Sequence, residues 1–347
     1  MSTAGGVTAR RVVVLGTGGT IASRLDEHGA AQPVDSVGAL VHGAGVDAVD
    51  GVDSVDGQGG VVVIARDLFI KDSSALTTAD QAVIVREVRA ALADPTVAGV
   101  VVTHGTDTAE ETAYLLDLLY DDDRPVVLTG AQRPADAPDA DGPRNLRDAV
   151  QVAADPTARG LGVLVVFDGL VLAARGTRKV HTHDAAAFAQ PDGGPLGRVV
   201  EGRLVLDGLP AHREHLDADL AGLEPARVDI AAVYPGVDGT ALRAFAAAGA
   251  RGVVLVATGA GNANPAIVAA VADLARQGVV VGLTTRVDTG PVAGIYGGGG
   301  GGADLVAAGA VPLGTLRAGQ GRILLVALLA AFGDADRVRA EIPTYLG

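Results

Sequence analysis

Three stretches carry side chains whose types and positions could do chemistry together. The first, VVVLGTGGTIAS over 12–23, is an apolar run that enters glycines and reaches a hydroxyl, Thr20. Glycine turns let a substrate and backbone N–H groups come close, so a hydroxyl exposed on one is a candidate nucleophile. The other reading of Thr20 is a local turn cap. The second stretch, VVVTHGTDTAEETAYLLDLL, puts Thr106 and Asp107 on a turn between a buried run ending at Thr103 and a helical pattern. Thr108 and Glu111 fit a capping box, which assigns Thr108 to the helix start and leaves Thr106 and Asp107 free for other work. The third stretch, RGTRKVHTHD, holds Lys179. A threonine hydroxyl is too weak an acid to attack unaided near neutral pH, and it needs a base. Lysine can serve when burial or neighbours lower its pKa. Of 27 Lys+Arg only Lys71 and Lys179 are lysine, so each position either needs a compact amine able to lose a proton or keeps lysine by chance.

Competing chemistries fit these stretches less well. A dinucleotide fingerprint starting at Gly16 would need glycine where Ile21 stands, and no Gly-Lys-Ser/Thr follows for a P-loop. Residues 24–35, RLDEHGAAQPVD, read as a polar, mobile loop able to act as a lid, with no helix start to hold a phosphate. His104, at a strand end, reads as a structural histidine before it reads as a base. His181 and His183 alternate as in extended chain but have no clustered third ligand, and the chain has no cysteine, so no metal site is expected. The glycine run at 297–302 reads as a flexible loop.

These residues need rigid elements to hold them. Apolar runs VVVL (12–15), VVVIA (61–65), GVVVTHG (99–105), PVVLTG (125–130) and LGVLVVFDG (161–169) alternate with helical patterns at 77–93 and 108–120. Strands without polar alternation, separated by amphipathic helices, predict an α/β fold with a mostly parallel sheet and functional loops at its carboxyl edge. After a polar stretch the pattern resumes with VDIAAVYPG, GVVLVATG and VVVGLTT, a helix TALRAFAAAGA between the first two, and a last helix from about Gln320 to Phe332. The expected organisation is a larger domain over 1–206, a connector over 207–227 and a smaller α/β domain over 228–347. With 48% hydrophobic residues and a net charge of −14, the chain should bury a core and carry an acidic surface, which disfavours nucleic acid and anionic membrane as partners. MSTAGGVTARR leads into a strand with no leader-like apolar region, and ILLVALLAAF is too short to span a bilayer, so a cytoplasmic protein is expected.

Taken together, GTGGTIA (16–22), THGTDTAEETA (103–113), TGAQRP with ADGPRNLRDAV (129–150) and GAGNANPAIV (259–268) resemble the bacterial-type L-asparaginase/glutaminase family. Asp72-Ser73-Ser74 resembles its cytoplasmic, type I branch more than the secreted one. The resemblance implies that Thr20 attacks the side-chain amide of asparagine, releasing ammonia, with water then freeing aspartate. It makes Thr106, Asp107 and Lys179 a second catalytic group. It assigns Asp107, Asp72 and Ser73, with Ser74 beside them, to the substrate's α-ammonium and α-carboxylate. It implies no cofactor and a homodimer or homotetramer whose sites are completed by a neighbouring subunit. Two departures stand out. The lid lacks the family's tyrosine, the aligned position falling near Ala30 or Ala31, and the second domain lacks a glutamate that secreted members supply. Tyr296, just before the glycine run, either supplies a phenol from a partner or is an ordinary packed tyrosine. The alternatives are an aspartate- or asparagine-binding protein without catalysis, and an amidohydrolase preferring glutamine or another amide.

Overall fold

The computed structural model describes residues 10–46, 60–211 and 214–346; the amino-terminal segment read above for a leader lies, apart from its last two residues, outside the described residues. Two compact units emerge, one of Met1–Ala113, Tyr120–Gln190 and Gly194–Pro210, the other of Tyr114–Leu119, Pro191–Gly193 and Ala211–Gly347.

The first unit opens with β1 (Arg10–Gly18), the short strands β2 (Ser23–Leu25) and β3 (Ala31–Pro33), and α1 (Val37–Gly43). Next come β4 (Val61–Lys71), α2 (Thr78–Leu92), β5 (Val97–Thr103) and α3 (Ala109–Leu119), of which Tyr114–Leu119 belongs to the second unit. The chain continues through β6 (Val126–Thr129), α4 (Gly142–Ala154), β7 (Val163–Phe167), β8 (Leu170–Ala173), β9 (Arg178–Lys179), β10 (Phe188–Ala189), β11 (Gly197–Val200) and β12 (Arg203–Leu206). Eight strands form one sheet in the order β12-β11-β8-β7-β6-β5-β1-β4. The five from β7 to β4 run parallel, and β8, β11 and β12 extend them antiparallel. The sheet is mostly parallel, as the uninterrupted apolar runs required: Val12 to Leu15, Val100 to Val102 and Val126 to Leu128 are 0–1% exposed. In α4, Leu146, Ala149, Val150 and Ala153 repeat at helical spacing and bury one face in the core beside Val12, Val14, Val101 and Val127. In α2 the Thr77 hydroxyl accepts from the Asp80 N–H while the Asp80 carboxylate accepts from the Thr77 N–H, a reciprocal cap that fixes its start.

The second unit holds β13 (Val228–Ala232), α5 (Thr240–Ala247), β14 (Gly252–Ala257), α6 (Pro265–Arg276), β15 (Val280–Thr285), α7 (Gly302–Ala307), β16 (Ala310–Pro312), α8 (Ala318–Phe332) and α9 (Ala335–Glu341). Its four strands are parallel in the order β13-β14-β15-β16. Residues 323–329 of α8 are buried without a polar stripe, so that apolar run serves a protein core. The strand β16 was not anticipated, and α8 is not the last helix, because α9 follows once Gly333 reverses the chain at φ 70°.

Two local expectations are corrected. The segment 24–35 is not a loose loop: β2 and β3 pair antiparallel, Ser23 with Pro33 and Leu25 with Ala31. Ala135 N–H donates to the Ser23 carbonyl at 2.8 Å, and Leu25 N–H donates to Asp136 Oδ2 at 3.1 Å. An ion pair from Arg24 Nε to Asp35 at 2.9 Å spans the hairpin. Nor does the Thr108 side chain cap α3, since its hydroxyl donates instead to the Ser73 carbonyl at 3.0 Å.

Candidate active site

Adjacent parallel strands end at one edge, and four neighbours, β4, β1, β5 and β6, deliver the loops read as chemical. The loops are stacked backbone on backbone. Gly19, at φ 77°, begins a single 3-10 turn over Thr20–Ala22, and a Cβ there would stand 2.3 Å from the Gly105 Cα. A Cβ on Gly105 would stand 2.6 Å from Ser73 Oγ. Only glycine permits these approaches. Gly19 is further fixed through its N–H, which donates to the Lys71 carbonyl at 3.0 Å, and its carbonyl, which accepts from Ser23 Oγ at 3.0 Å.

Thr20 is partly exposed at the head of its 3-10 turn, and its side chain makes no hydrogen bond among the described residues. The Thr20 and Ile21 N–H groups open that turn, where a helical start leaves donors without intrahelical partners. Ser73 is buried against Gly105, while Asp72 and Ser74 flank it exposed.

The second cluster is tightly bonded. Lys179 Nζ donates to Thr106 Oγ1 at 2.8 Å and to Asp107 Oδ1 at 2.7 Å, joining residues 72 and 73 positions apart in sequence. Thr106 is 4% exposed, and its hydroxyl donates to Gln132 Oε1 at 3.0 Å. Gln132 Nε2 donates in turn to the His181 carbonyl at 3.3 Å. The loop carrying Gln132 is held by Asp141, which stands at the start of α4 but does not cap it. Its carboxylate accepts from the N–H groups of Gln132 and Arg133 at 3.0 Å, and from Asn145 Nδ2 at 3.3 Å. Lys179 lies on the two-residue strand β9, paired with β10 through Phe188.

Two residues that sequence reasoning passed over belong to this cluster. Gln132 lies within TGAQRP, and its amide touches both Thr106 and the Lys179 segment. Glu110, in the first turn of α3, accepts from the Lys179 N–H at 2.6 Å through Oε2. Burial pushes the Glu110 carboxyl up to about 7. His104 is fully buried, with Nδ1 at 2.7 Å from the Gly105 carbonyl, and burial pulls it down to about 4. Burial favours its neutral form, but the reading of a satisfied imidazole holds only at Nδ1, since the buried Nε2 finds no hydrogen-bond partner among the described residues. Lys71 does not join the cluster: Nζ pairs with Asp80 at 2.6 Å and lies 5.4 Å from the centre of the Phe69 ring. The His181 ring accepts from the His183 and Asp184 N–H groups, so this stretch is a turn and not extended chain. Among the described residues no group of three or more His, Cys, Asp or Glu side chains is arranged to hold a metal ion. Tyr296 belongs to the second unit and is 54% exposed.

The geometry is that of a polar site at a sheet's carboxyl edge, with a free hydroxyl on one loop and a hydroxyl–carboxylate–amine set beside it. Comparison with known proteins agrees across nearly the whole length. The family model "Asparaginase, N-terminal" matches residues 11–210, and "Glutaminase/Asparaginase C-terminal domain" matches 227–341. A protein of Pseudomonas fluorescens biotype A named glutaminase-asparaginase is 36% identical over 284 residues, 80% of this chain and 76% of its own. An L-asparaginase of Bacillus licheniformis is 32% identical over 328 residues, 94% of this chain and 97% of its own. The crystal structure of a probable cytoplasmic L-asparaginase from Campylobacter jejuni superposes with a TM-score of 0.82 at 29% identity, covering 96% of this chain and 99% of that one. With both halves matched in order, the chain belongs to the asparaginase family.

Proposed function

We propose that the protein is an L-asparagine amidohydrolase in which Thr20 is the nucleophile and Thr106, Asp107 and Lys179 form the proton-handling group. The observation that carries this reading is the convergence of Lys179 Nζ on Thr106 Oγ1 and Asp107 Oδ1, beside a loop whose hydroxyl makes no hydrogen bond among the described residues. Family membership supports the same chemistry.

In the first half-reaction Thr20 Oγ attacks the amide carbon, its proton passes to a base, and the N–H groups opening the 3-10 turn receive the oxyanion. Collapse expels the amide nitrogen, which leaves as ammonia after gaining a proton, and a β-aspartyl ester on Thr20 remains. Water then attacks the ester and restores Thr20. Lys179 as an ammonium donates to both Thr106 and Asp107 and cannot accept. It becomes a base only after losing one proton, and Thr106, once its O–H turns from Gln132 Oε1 toward Nζ, then relays a proton to it from the attacking hydroxyl or water. Asp107, 60% exposed at its side chain, is free to meet the substrate's α-ammonium on its solvent side, with Asp72 and Ser73 nearby in the same row of loops. The reading calls on no cofactor and no metal.

Glutamine is the second substrate to weigh, because the Pseudomonas relative is named for both amides. One added methylene typically changes recognition by about 1–3 kcal/mol. Cytoplasmic action belongs to the same reading and is supported by the Campylobacter neighbour. So does self-assembly into dimers or tetramers, in which the exposed Tyr296 of one copy would supply the phenol that the lid of another lacks. The test is ammonia release from asparagine and from glutamine by the purified chain. Release from asparagine that Thr20→Ala abolishes is the expected result. No release between about pH 5 and about pH 10, or undiminished release after Thr20→Ala, overturns the reading.

A further inference from the structure

Lys179 is held twice by one short stretch of chain. Its side chain bonds Thr106 and Asp107, the residues just before α3, while its backbone N–H donates to Glu110 Oε2 at 2.6 Å, inside the first turn of that helix. The strand that carries it, β9, has only two residues and one short partner strand, so ladder hydrogen bonds alone fix it weakly. The Gln132 bond to the His181 carbonyl is longer, at 3.3 Å. The Glu110 bond is therefore the short, partly buried tie between the lysine's backbone and the helix start that bears its partners.

We propose that Glu110 is a positioning residue for Lys179: its carboxylate sets the depth at which the lysine reaches Thr106 and Asp107. The inference rests on the catalytic reading of Lys179 given above. Glu110 bonds Lys179 at its backbone N–H. It acts through the backbone of the residue that does the proton transfer, and that predicts a loss in turnover with little loss in binding. The charges around it are Glu111 on its own helix and Arg178 and Lys179 on β9. The carboxyl changes charge near neutral pH, at about 7, because it is buried. An ionised carboxylate holds an N–H more strongly than a neutral acid does, so the tie slackens as pH falls through that value.

The experiment measures kcat and KM for asparagine from acid to alkaline pH in the wild type, Glu110→Ala and Glu110→Gln, with Lys179→Met alongside. Glu110→Ala should lose about tenfold or more in kcat with KM within about twofold, the pattern of a displaced catalytic group. Glu110→Gln keeps an acceptor that does not ionise and should recover part of that loss. The ratio of wild-type to Glu110→Gln turnover should sit near one in mild acid and open to about fivefold above neutrality, since only the wild type gains the charged bond. A flat ratio across neutral pH, or wild-type turnover in Glu110→Ala, overturns the proposal. If Glu110→Ala does not fold, as judged by circular dichroism, the ratio alone decides. Lys179→Met separates the two levels. Undiminished hydrolysis there overturns the reading of Lys179 itself, whereas a dead Lys179→Met beside a flat Glu110→Gln ratio overturns only the role given to Glu110.

Discussion

Glu110 also makes a prediction about stability, independent of turnover. Its carboxyl rises from an ordinary 4.5 to about 7 because ionising it inside the first unit costs hydration that its partners only partly replace. Native protein therefore holds this proton more tightly than unfolded chain does. The associated stability is fully present below pH 4.5 and is lost as pH rises through 7. At about 1.4 kcal/mol per pH unit, the span amounts to about 3 kcal/mol, or about 2–3 once water on the partly exposed side screens the charge. Glu110→Gln removes the titration and keeps the acceptor for Lys179 N–H. The assay is equilibrium urea unfolding followed by far-UV circular dichroism, with wild type and variant compared at mildly acid pH and again above neutrality. A fixed offset between the two proteins cancels in that double comparison. The variant should gain about 2–3 kcal/mol on the wild type between acid and alkaline conditions, with unchanged m-values. The same difference at both pH values would show that Glu110 is already ionised in acid and refute the burial argument.

Four further outcomes follow from the site and its supports. His104 has the opposite sign: pulled from 6.5 to about 4, it contributes stability present above pH 6.5 and lost as pH falls through 4, and His104→Gln should remove about 3 kcal/mol of that acid dependence in the same unfolding assay. Gly105→Ala drives a Cβ to 2.6 Å from Ser73 Oγ, and should cost about 1–3 kcal/mol of stability by thermal or urea unfolding and most of the activity. Thr20→Ala should abolish ammonia release while leaving the circular dichroism spectrum and melting midpoint within experimental scatter, because the Thr20 side chain makes no hydrogen bond among the described residues. Asp136→Ala removes an acceptor from the Leu25 N–H and should speed limited proteolysis within residues 24–35 severalfold, read by mass spectrometry of the first cuts.

Much of the frame was legible because buried parallel strands must be apolar throughout. VVVL at 12–15 and GVVV at 99–102 could serve no other purpose, and glycines at their carboxyl ends marked where a site could sit. What escaped was set by contacts distant in sequence. Glu110 looked like one more acid in a helix start; its tie to Lys179 reaches across 69 positions. Thr108 satisfied a local capping pattern, but Ser73, 35 positions away, offered its hydroxyl a better acceptor. Asp141 shows the same competition, since a residue suited to cap α4 is drawn off to hold the loop of Gln132. The hairpin of β2 and β3 was hidden because strands of three residues, stabilised by an ion pair and by the loop at 135–136, leave no periodic trace in composition.

The stacking of Gly19 on Gly105, and of Gly105 on Ser73, bears on how such an enzyme can diversify. Each of these positions is pinned by its neighbour's main chain or first side-chain atoms, so a substitution at one needs simultaneous relief at another. Adaptive paths through them are closed to single steps. New substrate preferences must arise instead where side chains have room: the outer part of the hairpin at 24–32, the surface flanks Asp72 and Ser74, and the rim that Asp107 borders. The inflexible centre would preserve the reaction while its border explores new amides. A saturation library should show that division as intolerant glycines encircled by permissive sites.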